Sequence, residues 1–369
     1  MNSVFDRCRG YWRGLLAGLL AVVLAVVLAG CSVVGPSAVR NGRMAYNEAI
    51  TETNNQQLLM AVVRNRYDET ASLLAVASVT ANVSVTASTG IELGFGDSDN
   101  YEGNIVPFSA GAVYEENPTI SYVPVAGAKY AKQLFSPVSV AVLAELTGSL
   151  VDPGYVYAAL VAGANGLRNP DFLQTAEAVD PRFERFVGLM TSLTQAHRLH
   201  WIARPGQGHD HAIFIDRDGP ALAPMADELL TLLGLPVPAD PGSRVVVPVM
   251  LALDGRDSGG IGLNTRSVAD LVEIMSAAIE VPDEDRRRGV ASPYPPAGLA
   301  GRALRVRFSE DRPAGAAVAV SYRDGWYFID ETDRTTKRFF RLLSALWSVS
   351  IAEGTTHAAA PVLTVPVSR

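Results

Sequence analysis

Cysteine is nearly absent from this sequence. There are two, Cys8 and Cys31, and both lie in the first thirty-one residues. The remainder of the chain therefore has no disulfide, no thiol nucleophile and no cysteine metal ligand. Catalytic frameworks are missing as well. There is no G-x-S-x-G, no S-x-x-K and no H-E-x-x-H, so serine hydrolases of those kinds and the zincin type of metalloprotease lack their scaffold. The run Gly259-Gly260-Ile261-Gly262 is glycine-rich but fits neither a Walker loop nor a dinucleotide fingerprint, and it follows the turn at Asp254-Gly255. Basic surplus is lacking too, since the net charge is −7. That balance argues against nucleic acid as a partner. What the chain does have is length and apolar residues, 369 positions of which 48% are apolar. Such a chain can bury one large core or two smaller ones, and its stability has to come from that burial.

The first thirty residues read as an export signal. Arg7, Arg9 and Arg13 form a basic start, Leu15 to Ala29 is an apolar run interrupted by Gly18, and Leu28-Ala29-Gly30-Cys31 closes it. A basic end, a short apolar core and small residues before the cut are what the export machinery and its peptidase require. The apolar run is short for a transmembrane helix, which needs about 20 residues. Cleavage between Gly30 and Cys31 leaves a cysteine whose sulfur takes lipid, including palmitate. Several acyl chains on one residue give stable anchoring where a single chain is marginal. Ser32 follows the cysteine where inner-membrane retention usually has Asp, which favours the outer membrane with the body on its periplasmic face. Loss of the leader removes three arginines and Asp6 and makes the chain more acidic.

Residues 31–43, with Gly35, Pro36, Ser37 and Gly42, read as a lipidated tether. A helix is expected over 44–67, its apolar face made by Tyr46, Ile50, Leu58, Leu59, Val62 and Val63. Its amide-rich side, Asn47 and Asn54 to Gln57, reads as solvated. Residues 78–96 then alternate. Val79, Ala81, Val83, Val85, Ala87, Ile91, Leu93 and Phe95 share one parity, and Ser78, Thr80, Asn82, Ser84, Thr86, Ser88 and Glu92 the other. A period of two places these sets on opposite faces of a strand. The acidic turn 97–103 and a return strand over 105–115, with Phe108, Ala110, Ala112 and Tyr114 in phase, complete a long amphipathic hairpin, 78–115.

Further on, a strand at 119–123 and a helix through Tyr130 and Leu134 are expected, then helices over 137–200 separated by Gly148, Asp152-Pro153-Gly154, Asn169-Pro170 and Asp180-Pro181. Short strands at 212–215 and 244–253 and helices at 225–233 and 267–279 follow. Asp324-Gly325 marks a two-residue hairpin between 317–322 and 326–329. Asp330 or Thr332 is placed to cap a last helix through Phe339, Phe340, Leu343 and Trp347. The tail 361–367 is proline-limited and at most an edge strand. The class is α+β, mixed helices and antiparallel strands. The proline- and glycine-rich stretch 236–242 divides it into an α+β domain at 44–235 and a C-terminal α+β domain at 244–369.

Several stretches carry a resemblance: YNEAI (46–50), TNNQQLL (53–59), ENPTISYVPVAG (116–127), QLFSPV (133–138) and YRDGWYFIDETD…KRFFRLL (322–343). Together they resemble a group of proteobacterial outer-membrane lipoproteins of unknown function. The resemblance implies an envelope lipoprotein and supports processing at Cys31. It implies no activity and no catalytic residue.

Four of the five histidines, His197, His200, His209 and His211, lie close together in sequence, with Asp210 and Asp216 near. His197 and His200 are one turn apart if helical, and His209 and His211 share a face if extended. Neutral imidazoles and a carboxylate suit zinc, though the spacing fits no established motif. Asp97, Asp99 and Glu102 fall short of a calcium loop, and Asp330, Glu331 and Asp333 suit a helix start. The hairpin carries a sharper expectation. Each arm reaches the 9–11 or so residues that cross a bilayer, and one face is apolar while the other is rich in Ser, Thr, Asn and Gly, as in a barrel lumen.

These observations lead to three expectations. The main one is a non-enzymatic, lipid-anchored structural or assembly component of the envelope, without cofactor, that binds other envelope proteins. The second is an oligomeric outer-membrane pore or export channel built from the hairpin. The third is a metal-dependent hydrolase using the histidines.

Overall fold

The computed structural model describes residues 44–366 except 71–72, 81–82, 92–107, 117–118, 126–127, 150–151, 174–179, 204–210, 221, 241, 255–258 and 356–362. The leader, Cys31, the tether, the hairpin tip and His209 lie outside the described residues. The protein is α+β, as its composition and patterning imply.

In chain order the elements are helix α1 (44–66), then β1 (Leu73–Thr80), β2 (Val83–Ile91), β3 (Phe108–Glu116), β4 (Thr119–Val125), α2 (Ala128–Phe135), α3 (Val140–Ser149), α4 (Pro153–Leu160), β5 (Val161–Ala164), β6 (Leu167–Arg168) and α5 (Pro181–Gln195). There follow β7 (Leu199–Ala203), β8 (His211–Asp216), α6 (Ala223–Leu232), β9 (Arg244–Leu251), β10 (Ile261–Thr265), α7 (Val268–Ala277), α8 (Asp283–Arg288), β11 (Arg307–Ser309), β12 (Ala316–Tyr322), β13 (Gly325–Asp330), α9 (Arg334–Thr355) and β14 (Leu363–Pro366).

The chain divides into two compact units, and not at 236–242. One comprises Met1–Thr53, Val76–Val123 and Pro361–Arg369, the other Asn54–Ala75 and Pro124–Ala360. The expected boundary fails because β8 and β9 pair directly across that stretch, from His211↔Val249 to Asp216↔Arg244. The stretch itself is held down. Buried Arg217 donates to Asp227 on α6 (2.6 Å), to the Asp240 carbonyl (2.7 Å) and to Ser243 (2.7 Å). Proline and glycine there mark a pinned loop inside one sheet.

In the first unit the expected strand 78–96 is split between two sheets. Strand β1 belongs to a three-stranded sheet of order β1-β4-β14, whereas β2 pairs only with β3. The β2–β3 register is unbroken from Val83↔Glu116 to Ile91↔Phe108. It joins Val85 to Tyr114, Ala87 to Ala112 and Thr89 to Ala110. Directly opposed residues share a face, so the pairing keeps the apolar parity of one arm in phase with that of the other. The tail strand β14 runs antiparallel to β4 at the sheet's edge, where Pro366 costs no central ladder bond.

The second unit is built on a six-stranded sheet of order β6-β5-β10-β9-β8-β7. Only β9 and β10 run parallel. On one face Leu199, Ile213, Ile215, Val247, Val249, Ile261 and Leu263 are all buried and form the core with α3, α5 and α6. Aspartates set the helix starts. Asp152 accepts from the Tyr155 amide and Asp180 from the Arg182 amide, each ahead of a proline whose missing N–H is harmless there. Ser267 and Asp270 form a reciprocal capping box on α7.

A second layer of this unit joins α1, α2, α7 and α9 to the three-stranded sheet β11-β13-β12. Leu58, Leu59, Val62 and Val63 of α1 are fully buried, as their spacing implies. The amide side of α1 is not simply solvated: Gln57 accepts from the Leu74 amide (3.2 Å) and Asn55 from the Ser344 hydroxyl (3.4 Å). The two-residue turn falls one place earlier than expected, at Arg323-Asp324, because Tyr322 pairs with Gly325. Arg323 is left-handed (φ 51°). Its guanidinium lies over Tyr67 (4.4 Å) and meets Glu69 (3.5 Å) and Asp285 (3.7 Å), contacts that offset the backbone strain. The last helix is capped by Asp333, which accepts from the Thr336 amide, rather than by Asp330 or Thr332. Asp330 instead accepts from the Thr332 amide and hydroxyl within its own turn.

Candidate functional site

The described histidines do not converge. Helix α5 ends in a Schellman turn, with the Arg198 amide on the Leu193 carbonyl and the His197 amide on the Thr194 carbonyl. His197 takes the left-handed position there (φ 55°), where glycine is usual. The helical spacing expected for His197 and His200 is thus broken, and His200 lies on β7. It pairs with Phe214, while His211 pairs with Ala203. Each lies three positions along the strand from the other's partner, so the pleat places His200 and His211 on opposite faces of the sheet. The His200 ring meets the His197 carbonyl (2.9 Å). No group of three His, Cys, Asp or Glu suited to a metal occurs among the described residues.

A cavity of about 470 Å³ opens at the other end of the same sheet, lined in part by Gly163, Arg168, Asn169, Asp171, Asp254 and Asn264. Its wall is held by Arg266, whose side chain is 1% exposed. The guanidinium bonds Asp171, the carbonyls of Ala158 (3.1 Å), Ala159 (2.9 Å) and Val161 (3.3 Å), and that of Asn169 (2.6 Å). The Asn169 amide nitrogen donates to the Ala158 (2.9 Å) and Val161 (2.7 Å) carbonyls. Asn165-Gly166 makes the preceding β5–β6 turn, both residues left-handed (φ 42° and 86°). The Asn165 side chain ties that turn to Gly260 and Gly262 of the glycine-rich run. These polar groups hold α4, β5 and β10 together. Among the described lining residues the titratable groups are Arg168, Asp171 and Asp254. The helical expectation for 137–200 fails at this stretch, where β5 and β6 pair instead. The dipeptide Asn165-Gly166, a strong hairpin signal, was available to find it.

A polar-aromatic cluster joins the second layer. The Tyr67 hydroxyl lies 2.5 Å from that of Tyr327 and 2.8 Å from Asp285. Burial pushes Tyr327 up to about 12, and burial with these hydrogen bonds pushes Tyr67 up further. Burial together with Glu273 also raises Tyr294. Phenols held neutral in this way brace the packing of α1 and α8 on β13.

The face of the six-stranded sheet opposite the core is only partly covered. His200 is exposed, Ile202, Phe214, Pro248 and Met250 are half-buried, and Val246 is 39% exposed. Register places Phe214 beside Val246 and Ala212 beside Pro248. Contiguous apolar surface of this kind, rimmed here by His200, Asp216 and Arg244, commonly marks an interaction site. No protein-family model, curated protein or solved structure matches the chain.

Proposed function

We propose that the protein is a non-enzymatic, lipid-anchored component of the cell envelope that binds another envelope protein through the partly covered face of its six-stranded sheet. The observation that carries the binding reading is the set Ile202, Phe214, Val246, Pro248 and Met250, apolar side chains on one face that, among the described residues, stay half-buried or exposed. A partner closing over it would remove that surface from water, at roughly 25 cal/mol per Å² of apolar area. The anchor rests on the residues from Arg7 to Cys31, and the outer membrane on Ser32. No described helix is long and apolar enough to cross a membrane.

The test is co-purification after mild cross-linking in cells that express the full chain. Val246→Asp places a charge on the face at an exposed position and is expected to abolish capture of an envelope protein, with the melting temperature unchanged. Capture that survives Val246→Asp undiminished would remove the sheet face from the account. Loss of membrane association in Cys31→Ala tests the anchor separately.

A further inference from the structure

The hairpin β2–β3 is a sheet of two strands and nothing more: among the described residues neither outer edge has a strand partner. Each arm is nine residues long, and the two are in unbroken register throughout. An isolated two-stranded ribbon is marginal in water, and a long flat edge with unpaired N–H and C=O groups is a template for another strand. Proteins blunt such edges with lysine, proline or bulges. Here neither strand contains lysine or proline, and the register has no shift.

The register also sorts residue types by face. One row holds Val85, Ala87, Thr89 and Ile91 opposite Tyr114, Ala112, Ala110 and Phe108, and Val83 opposite Glu116 continues it at the base. The other holds Ser84, Thr86, Ser88 and Gly90 opposite Glu115, Val113, Gly111 and Ser109. The apolar row has an aromatic position at each end, Phe108 and Tyr114, with alanines between. Glu115 and Glu116 follow at the base, and the acidic segment 97–103 belongs to the tip by sequence. A membrane β-strand has about nine to eleven residues, an apolar outer band about 25 Å tall, and aromatic residues at both water boundaries. The nine-residue arms meet that length and order.

We propose that the partner of these edges is the same hairpin in further copies of this chain, and that the copies close a β-barrel that crosses the membrane with the Ser/Thr/Gly row lining its lumen. Each copy offers one β2 edge and one β3 edge. Pairing the β2 edge of one copy with the β3 edge of the next is a head-to-tail contact, which propagates until the ring closes. Closure is obligatory in lipid, because an open edge would leave backbone groups unpaired where there is no water. The smallest closed membrane barrels have about eight strands, so roughly four copies are the minimum. The proposal rests on the membrane-anchored reading, since a shared lipid anchor is what gathers the copies at one surface. It is independent of the sheet-face partner.

The test uses the full-length lipidated chain, extracted in mild detergent. Its mass is measured by light scattering and its shape by negative-stain microscopy. It is then reconstituted into phosphatidylethanolamine–phosphatidylglycerol vesicles loaded with a self-quenched dye. The mass of the N-terminal peptide reads the anchor separately, so loss of lipidation and loss of assembly are distinguishable. The wild type is expected to form a closed ring of fixed stoichiometry and to release dye. Ala112→Asp, on the apolar row, is expected to reduce release at least tenfold. Ser88→Asp places the same charge on the other row of the same ladder and is expected to stay within twofold of wild type. A lipidated wild type that remains monomeric overturns the proposal. So does dye release that is lost equally in both variants, since the two rows would then not differ in what they face, or release that is unchanged in Ala112→Asp.

Discussion

Replacing Arg266 by methionine keeps the apolar stem and deletes the guanidinium that holds α4, β10 and the 169–171 segment together. The side chain is 1% exposed, so its bonds are made almost without competition from water. Five acceptors lose a donor, but not equally. The carbonyls of Ala158 and Val161 keep a bond from the Asn169 side chain. Asp171 is 29% exposed and can be taken over by water. The carbonyls of Ala159 and Asn169 lose the guanidinium with no such replacement, at about 1–3 kcal/mol each. Removing one partner of a buried pair generally costs about 3–5 kcal/mol, and the count here falls in the same range. For a domain of this size that is a fall of roughly 10 °C in melting temperature. Urea and thermal denaturation of Arg266→Met measure it. Asp171→Asn, which leaves the guanidinium its four backbone acceptors, is expected to cost less. A change below about 1 kcal/mol in Arg266→Met, or a larger loss in Asp171→Asn, would refute the assignment of Arg266 as the central donor.

Gly298→Ala puts a methyl group 1.9 Å from the Pro170 carbonyl oxygen, so the backbone must move, and thermal denaturation is expected to show a loss above about 2 kcal/mol. Ser267→Ala breaks the capping box of α7 and is expected to cost about 1 kcal/mol in urea unfolding. Tyrosines whose folded pKa is raised contribute stability that is complete below the unfolded value near ~10 and is lost as pH rises through the folded value. With Tyr327 and Tyr130 both pushed up to about 12, the melting temperature is expected to fall between those limits, and less so in Tyr327→Phe. Added zinc is expected to leave the melting temperature unchanged in wild type and in His200→Ala/His211→Ala alike; a zinc-dependent rise lost in the double variant would restore a metal site.

The parts of this fold written in local pattern were legible. The 3.6-residue spacing of Leu58, Leu59, Val62 and Val63 and the parity of Val85 to Ile91 against Phe108 to Tyr114 depend only on neighbours in sequence, and both reappear in the structure. What depends on distant partners was not. The β8–β9 pairing across 236–242 comes from apolar strands that find each other and a loop pinned by Arg217, and proline and glycine content alone cannot distinguish that from a linker. His197 stands where a helix-ending glycine would signal the stop, so sequence alone continues the helix into β7 and puts His197 and His200 on one helical face. The cavity wall is the extreme case. Arg266 and Asp171 are ninety-five residues apart, and nothing in the local sequence of either points to the other.

The central claim is that the partly covered face of the six-stranded sheet binds an envelope protein while lipid on Cys31 holds the chain at the membrane. The most direct measurement is site-specific photo-cross-linking in intact cells, with the reactive group at Val246 and, as a control, at exposed Asp283 on α8. The account predicts one discrete adduct from Val246, identified by mass spectrometry as another envelope protein, none from Asp283, and loss of the Val246 adduct in Cys31→Ala. No adduct from Val246, or the same adduct from both positions, would contradict it.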